Sequence, residues 1–102
     1  MTSGFIKIHR RIQDWEWYDD ANTFRSFLHC LFQANWKPKK WRGTTIERGS
    51  FFTSYANFGE KLGLSVQQAR TSLNKLKSTG EVTVNATGKG LLVTCLLYTS
   101  PS

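Results

Sequence analysis

The chain lacks what several protein classes depend on. Its two cysteines are too few for a disulfide framework, and Cys30 and Cys95 have no partners at zinc-ligand spacing. No run approaches the ~20 apolar residues of a membrane span, and the amino terminus has no signal-peptide core. The expected setting is therefore reducing and cytoplasmic. There the sequon Asn85-Ala86-Thr87 is a chance match. Acidic residues are scarce too. Seven Asp and Glu stand against 14 Lys and Arg, a net charge of +7 in 102 residues. Asp14, Glu16, Asp19 and Asp20 are grouped, which leaves much of the remaining chain basic. Such an excess favours polyanionic partners through counterion release from phosphates. The plainer alternative is a basic protein with no nucleic-acid role.

Catalytic signals are missing as well. His9 and His29 have no sequence partner for a triad or a metal site, and spacing pairs no carboxylates. Gly88-Lys89 lacks both the upstream glycine and the downstream Ser/Thr of a phosphate-binding loop. The expectation is a non-enzyme with no cofactor and no metal ligand. The length allows one domain around a single core.

What the chain does contain is concentrated between residues 54 and 93. Ser65 and Gln68 form a capping-box pair at the start of a helix over 65–78. In that helix Val66, Ala69, Leu73 and Leu76 recur at spacings of three and four, the stripe of a core-facing helix. Gln67, Gln68, Arg70, Thr71, Asn74, Lys75 and Lys77 occupy the other faces, and Gly80 stops the helix. Ahead of it, Ser54 opens a helix with Tyr55, Phe58 and Leu62 turned inward. Gly59 within that helix costs about 1 kcal/mol relative to Ala. Behind it, Val82 and Val84, then Leu91 and Val93, bracket a Gly-rich turn over 85–90 with Lys89 at its tip. Two helices joined by a tight turn and followed by a hairpin are the winged helix-turn-helix plan. The predicted fold is α+β, mainly α, with a small antiparallel sheet.

The amino-terminal half supplies the rest of the core. Phe5, Ile6 and Ile8 read as an extended segment, and Ile12, Trp15, Trp17 and Tyr18 as a short helix or turn. Asp20 caps a helix in which Phe24, Phe27, Leu28, Leu31 and Phe32 form the widest apolar stripe, with His29 and Cys30 beside it. Residues 35–43 read as a basic loop holding Trp36 and Trp41. Its tryptophans anchor it to the core, or they grip a backbone or an unpaired base. Residues 44–46 and 51–53 read as extended.

Several runs carry a family resemblance: Gly4-Phe5-Ile6-Lys7-Ile8-His9-Arg10, Asp14-Trp15-Glu16-Trp17-Tyr18, Asn22-Thr23-Phe24-Arg25, Lys40-Trp41-Arg42-Gly43, Arg48-Gly49 and Leu64-Ser65-Val66-Gln67-Gln68. Together they resemble phage and prophage replisome organisers, replication initiators with a DnaD-like amino-terminal winged-helix domain. The resemblance spans residues 4–94. It implies origin DNA binding by the winged helix and homo-oligomerisation through the amino-terminal region. It also implies recruitment of a helicase loader or helicase through a further carboxy-terminal domain, of which this chain shows nothing. The run Tyr55-Ala56-Asn57-Phe58-Gly59-Glu60-Lys61 departs from the family's usual segment, being less charged and containing glycine. Residues 95–102 resemble an in-frame translation of a transposon-end sequencing adapter. On that reading the winged-helix domain is 1–94 and the natural chain was cut inside the last wing strand. The alternative is a strand extension through Leu96, Leu97 and Tyr98.

The expected interface is the helix over 65–78 in a major groove of double-stranded DNA. Ser65 caps it, and Gln67, Gln68, Thr71 and Asn74 face base edges. Arg70 and Lys75 read a base or hold phosphate, and Lys89 touches the backbone. Two other functions remain open. One is a transcriptional regulator on the same fold; the other is an interaction or oligomerisation module whose basic surface is incidental.

Overall fold

The fold follows from where its helices are capped and stopped. The computed structural model describes residues 8, 10–35 and 37–96. The expected segment around Phe5 and Ile6, His9, Trp36 and the tail from Leu97 onward lie outside the described residues. A 3₁₀ turn, Arg10–Asp14, leads to α1 (Ala21–Gln33), where the Asp20 carboxylate accepts from the Thr23 N–H at 3.2 Å. Helix α2 (Tyr55–Leu62) starts at the Ser54 cap. Helix α3 (Val66–Ser78) starts at a complete Ser65–Gln68 capping box. These are the starts that the sequence predicts, and for the predicted reason.

Both helices of the helix-turn-helix end in the same way. In α2 the Leu64 N–H donates to the Gly59 carbonyl (2.8 Å) and the Gly63 N–H to Glu60 (3.3 Å). In α3 the Glu81 N–H donates to Leu76 (3.0 Å) and the Gly80 N–H to Lys77 (3.2 Å). This pair of bonds is the Schellman motif, which requires a left-handed residue. Gly63 at φ 73° and Gly80 at φ 87° supply it.

Among the described residues there are five strands. β1 (Lys39–Trp41) and β2 (Thr44–Ile46) form a hairpin. β3 (Ser50–Thr53), β4 (Val82–Thr87) and β5 (Gly90–Cys95) form an antiparallel sheet in the order β3-β5-β4. The fold is thus mixed α+β, mainly α: a helix-turn-helix followed by a hairpin wing. α3 packs against both α1 and α2, and the core unites Phe27, Leu31, Phe51, Phe58, Leu62, Leu73, Leu76 and Val93. Among the described residues no helix is long and apolar enough to cross a membrane.

The structure departs from the sequence reading at four places. The buried face of α1 is Thr23, Ser26, Phe27, Cys30 and Leu31, whereas Phe32 is 64% exposed and Phe24 and Leu28 are half-buried. Small side chains face the neighbouring elements, so this face can approach more closely than the aromatic one. Cys30 therefore lies in the core, where the neighbouring Cys95 thiol and burial push its own thiol well up. In α3 the core-facing set is Ala69, Ser72, Leu73 and Leu76, while Val66 is 49% exposed. The loop expected over 35–43 contains strand β1, because Arg42 (φ 50°) and Gly43 (φ 75°) make a two-residue hairpin turn. The wing turn is only Gly88-Lys89, since Thr87 pairs with Gly90 and both strands run further than the apolar pattern indicated. Cys95 closes β5 opposite Val82, fully buried, and the Leu96 N–H donates to the Glu81 carbonyl at 3.0 Å.

Gly59 explains why a poor helix former sits in α2. A Cβ built there would lie 2.6 Å from the Leu64 carbonyl oxygen and 3.1 Å from that of Ser65. Gly59→Ala should gain about 1 kcal/mol of helix propensity and still lose about 1–3 kcal/mol net, because backbone must move. Urea unfolding reads this directly; a variant as stable as the parent shows that the turn has room.

Candidate nucleic-acid interface

At about 100° per residue, α3 divides into faces that the burial pattern confirms. Ala69, Ser72, Leu73 and Leu76 are buried on one side. Val66, Gln67, Arg70, Thr71, Asn74 and Lys77 are exposed on the other. Gln67, Thr71 and Asn74 therefore stand where a groove-facing role needs them, and the Gln67 amide lies 3.5 Å from the Thr71 hydroxyl. Arg70 is held over the Tyr55 ring, 4.9 Å from its centroid, so its guanidinium is supported from below while its edges stay in solvent. Val66, assigned to the core by its spacing, joins this face at the first turn. Its methyls suit contact with a thymine methyl group. The sequence signal was available: residues 69, 72, 73 and 76 make a complete stripe once Ser72 is accepted as buried.

Four further expected contact residues have structural partners. Ser65 and Gln68 bond each other's backbone: the Gln68 N–H donates to Ser65 Oγ (3.1 Å) and the Ser65 N–H to Gln68 Oε1 (2.9 Å). Gln68 still offers its amide N–H₂ to solvent. Lys75 turns away from the exposed face. Its Nζ lies 2.6 Å from Asp20 Oδ2 and 5.5 Å from the centre of the Trp17 ring. The Trp17 indole in turn donates to Thr79 Oγ1 at 3.0 Å. The acidic, aromatic segment before α1 is thereby stapled to the end of α3. Lys89 at the wing tip donates to the Arg42 carbonyl at 3.0 Å and to the Thr44 hydroxyl, which joins the wing to the β1–β2 hairpin.

The structure also supplies elements that the sequence reading missed. Trp41 stacks on Phe52 with ring centroids 4.8 Å apart, and the Arg42 guanidinium lies 4.7 Å from the Trp41 centroid. This is the anchoring of the loop expected for Trp41, delivered by a strand. Arg25 Nη1 donates to the Leu62 carbonyl at 3.0 Å, fixing the end of α2 to α1. His29 packs edge-on against Phe58 at 5.3 Å. Burial, then Lys61 and Arg25, holds its imidazole below the usual range. Among the described residues no group of three His, Cys, Asp or Glu is placed to hold a metal ion.

Two outcomes follow from these partners. Gln68→Ala should lower stability by about 0.5–2 kcal/mol through loss of the capping box; an unchanged thermal midpoint sinks that role. The Lys75 hydrogen bond, followed by backbone and side-chain bonding to Thr23, holds the Asp20 carboxyl below the ordinary carboxylate range. A depressed folded-state pKa contributes stability that is present above the unfolded value, ~3.9, and is lost as pH falls through the folded one. Asp20→Asn should therefore lower stability at pH 7 and show a smaller further loss between pH 5 and the acid limit. Parallel acid limbs in parent and variant, compared by urea unfolding, would remove the ion pair from the account. Comparison with known protein families, with curated proteins and with solved structures returns no match.

Proposed function

We propose that this chain is a double-stranded DNA-binding domain that places α3 in the major groove and the β4–β5 wing against the neighbouring backbone. The observation that carries the reading is the composition of the exposed face of α3. Val66, Gln67, Arg70, Thr71 and Asn74 occupy its first turns, where a recognition helix meets base edges. Arg70 of this face stands over Tyr55, two residues after Thr53, which pairs with Leu91 of the wing. Gln and Asn match adenine, Arg matches guanine, and no carboxylate interrupts the set. The net charge of +7 supplies the salt-dependent part of the affinity.

The motif runs given above make origin DNA of a phage or prophage the proposed target, and replication initiation the proposed process. Helicase loading in such proteins belongs to a carboxy-terminal region, so this domain contributes the DNA address. Transcriptional control would use the same contacts and differs in the site chosen. Binding to repeats within a replication gene marks the initiator; binding to a promoter palindrome marks the regulator. The exposed Phe32 and Tyr18 (64% and 49%) favour a second, compatible role in self-association.

The test is selection of bound duplexes from a random pool, followed by fluorescence-anisotropy titration of the selected site. Arg70→Ala should weaken the selected duplex by about 1–3 kcal/mol and relax preference at one position. Failure of the parent chain to bind any duplex at low salt, together with a dimeric mass on gel filtration, would leave the interaction module as the function.

A further inference from the structure

We infer that the β1–β2 hairpin is a second wing, carrying Lys40 and Arg42 to the sugar–phosphate backbone of the duplex flanking the site that α3 reads. The inference rests on DNA binding by α3. It adds a surface that a winged helix does not need in order to fold.

The hairpin is docked against the body of the protein. Ile46 is buried to 4% exposure and Trp41 lies on Phe52, 4.8 Å between centroids. Strand alternation places Lys39, Trp41, Thr44 and Ile46 on that inner side, with Lys40 opposite Thr45 on the outer one. Lys40, Thr45 and Arg42 are exposed accordingly. An outward lysine on a short edge strand is also a device against strand pairing. That role needs one charge, whereas this hairpin displays Lys40 on its outer face and Arg42 in its turn.

Lys89 determines where those charges stand. Its bonds to the Arg42 carbonyl and the Thr44 hydroxyl bring the hairpin turn to the tip of the wing. Both acceptors are neutral, so the ammonium keeps its charge at the backbone of the hairpin turn. Beside the same tip, the wing pairs with the strand that leads into the helix-turn-helix, Thr53 lying opposite Leu91. A Cβ on Gly90 would lie 2.9 Å from the Thr53 carbonyl, and Thr53 leads through Ser54 to Tyr55, the ring beneath Arg70. Lys89 and Arg42 are thus joined directly, and Arg70 stands over a ring two residues beyond the strand that pairs with the wing. Between Ala21 and Gly59 the sequence contains one acidic residue, Glu47. Exposed cations gathered at the joined tips of two hairpins suit a duplex, which carries one negative charge per ~1.7 Å of its axis. Protein partners offer no such regular line of charge.

The experiment compares two duplexes: the selected site alone, and the same site with about ten base pairs added on each side, each titrated from 50 to 200 mM salt. Each phosphate contact contributes about 0.9 to the slope of log affinity against log salt. Lys40→Gln/Arg42→Gln should lower the slope on the flanked duplex by nearly 2, so that over this range its affinity falls about tenfold less than the parent's. Sequence preference and the slope on the short duplex should not change. Lys40→Gln alone touches only the outer face and should lower the slope by about 1 with an unchanged melting curve. Lys89→Met, which frees the hairpin, should cost more than one contact. Parent-like slopes in the Lys40 and double variants overturn the inference while leaving α3 recognition intact if Arg70→Ala still relaxes preference. If the parent binds neither duplex, the DNA-binding reading falls and the inference falls with it.

Discussion

The backbone contact at Gly59 is the constraint on which the arrangement depends. There α2 passes the start of α3 without an intervening side chain, and the Gly59 carbonyl takes the Leu64 N–H at 2.8 Å. This closeness sets the length of the turn and brings Ser65 to the position where it caps α3. The cap fixes the first residue of the helix and hence the rotation of every later one. Arg25 locks the same corner from α1 through the Leu62 carbonyl. A glycine that weakens α2 locally is thus required by the tertiary structure, and local propensity yields to packing.

The sequence made the caps legible because capping is local chemistry. Asp20, Ser54 and Ser65 each bond an N–H three residues ahead, and Gly63 and Gly80 act within one turn of their helices. Faces were less legible. In α1 the hydrophobic pattern favours Phe24 and Phe32, but the side that packs is lined by Thr23, Ser26 and Cys30. Small polar residues carry little hydropathy, yet they permit the close approach that decides which face is buried. Strand β1 was hidden for a different reason. Three residues, two of them lysine, have no alternating pattern, and their pairing with Thr44–Ile46 depends on the turn at Arg42-Gly43.

The candidate interface was legible as a region, and less so in its individual residues. Spacing gives Gln67, Arg70, Thr71 and Asn74 one face of α3. It cannot reveal that Lys75 meets Asp20, 55 residues earlier in the chain, or that Lys89 reaches Arg42 across 47. Those partners sort the cations by role. Arg25 and Lys75 secure helices to one another, Arg70 and Lys77 stand on the open face of α3, and Lys89 joins two hairpins. Net charge describes attraction at a distance; this sorting describes which charges remain to meet phosphate.

The distinction between Lys75 and Lys89 then lies in their partners. Lys75 faces a carboxylate, so the pair presents almost no net charge and a phosphate would have to displace Asp20 from a helix cap. Lys89 donates to a carbonyl and a hydroxyl, which stabilise an ammonium without cancelling its charge. Its geometric role and its electrostatic role are therefore compatible. The bond that aligns the two hairpins also holds a cation at their junction, next to Arg42, where the exposed acceptors compete only weakly with a phosphate oxygen. On the proposed function, a wing tip built in this way is oriented before it meets DNA. The ordering entropy of a free lysine and a free hairpin is then largely met on folding, and less of it opposes binding.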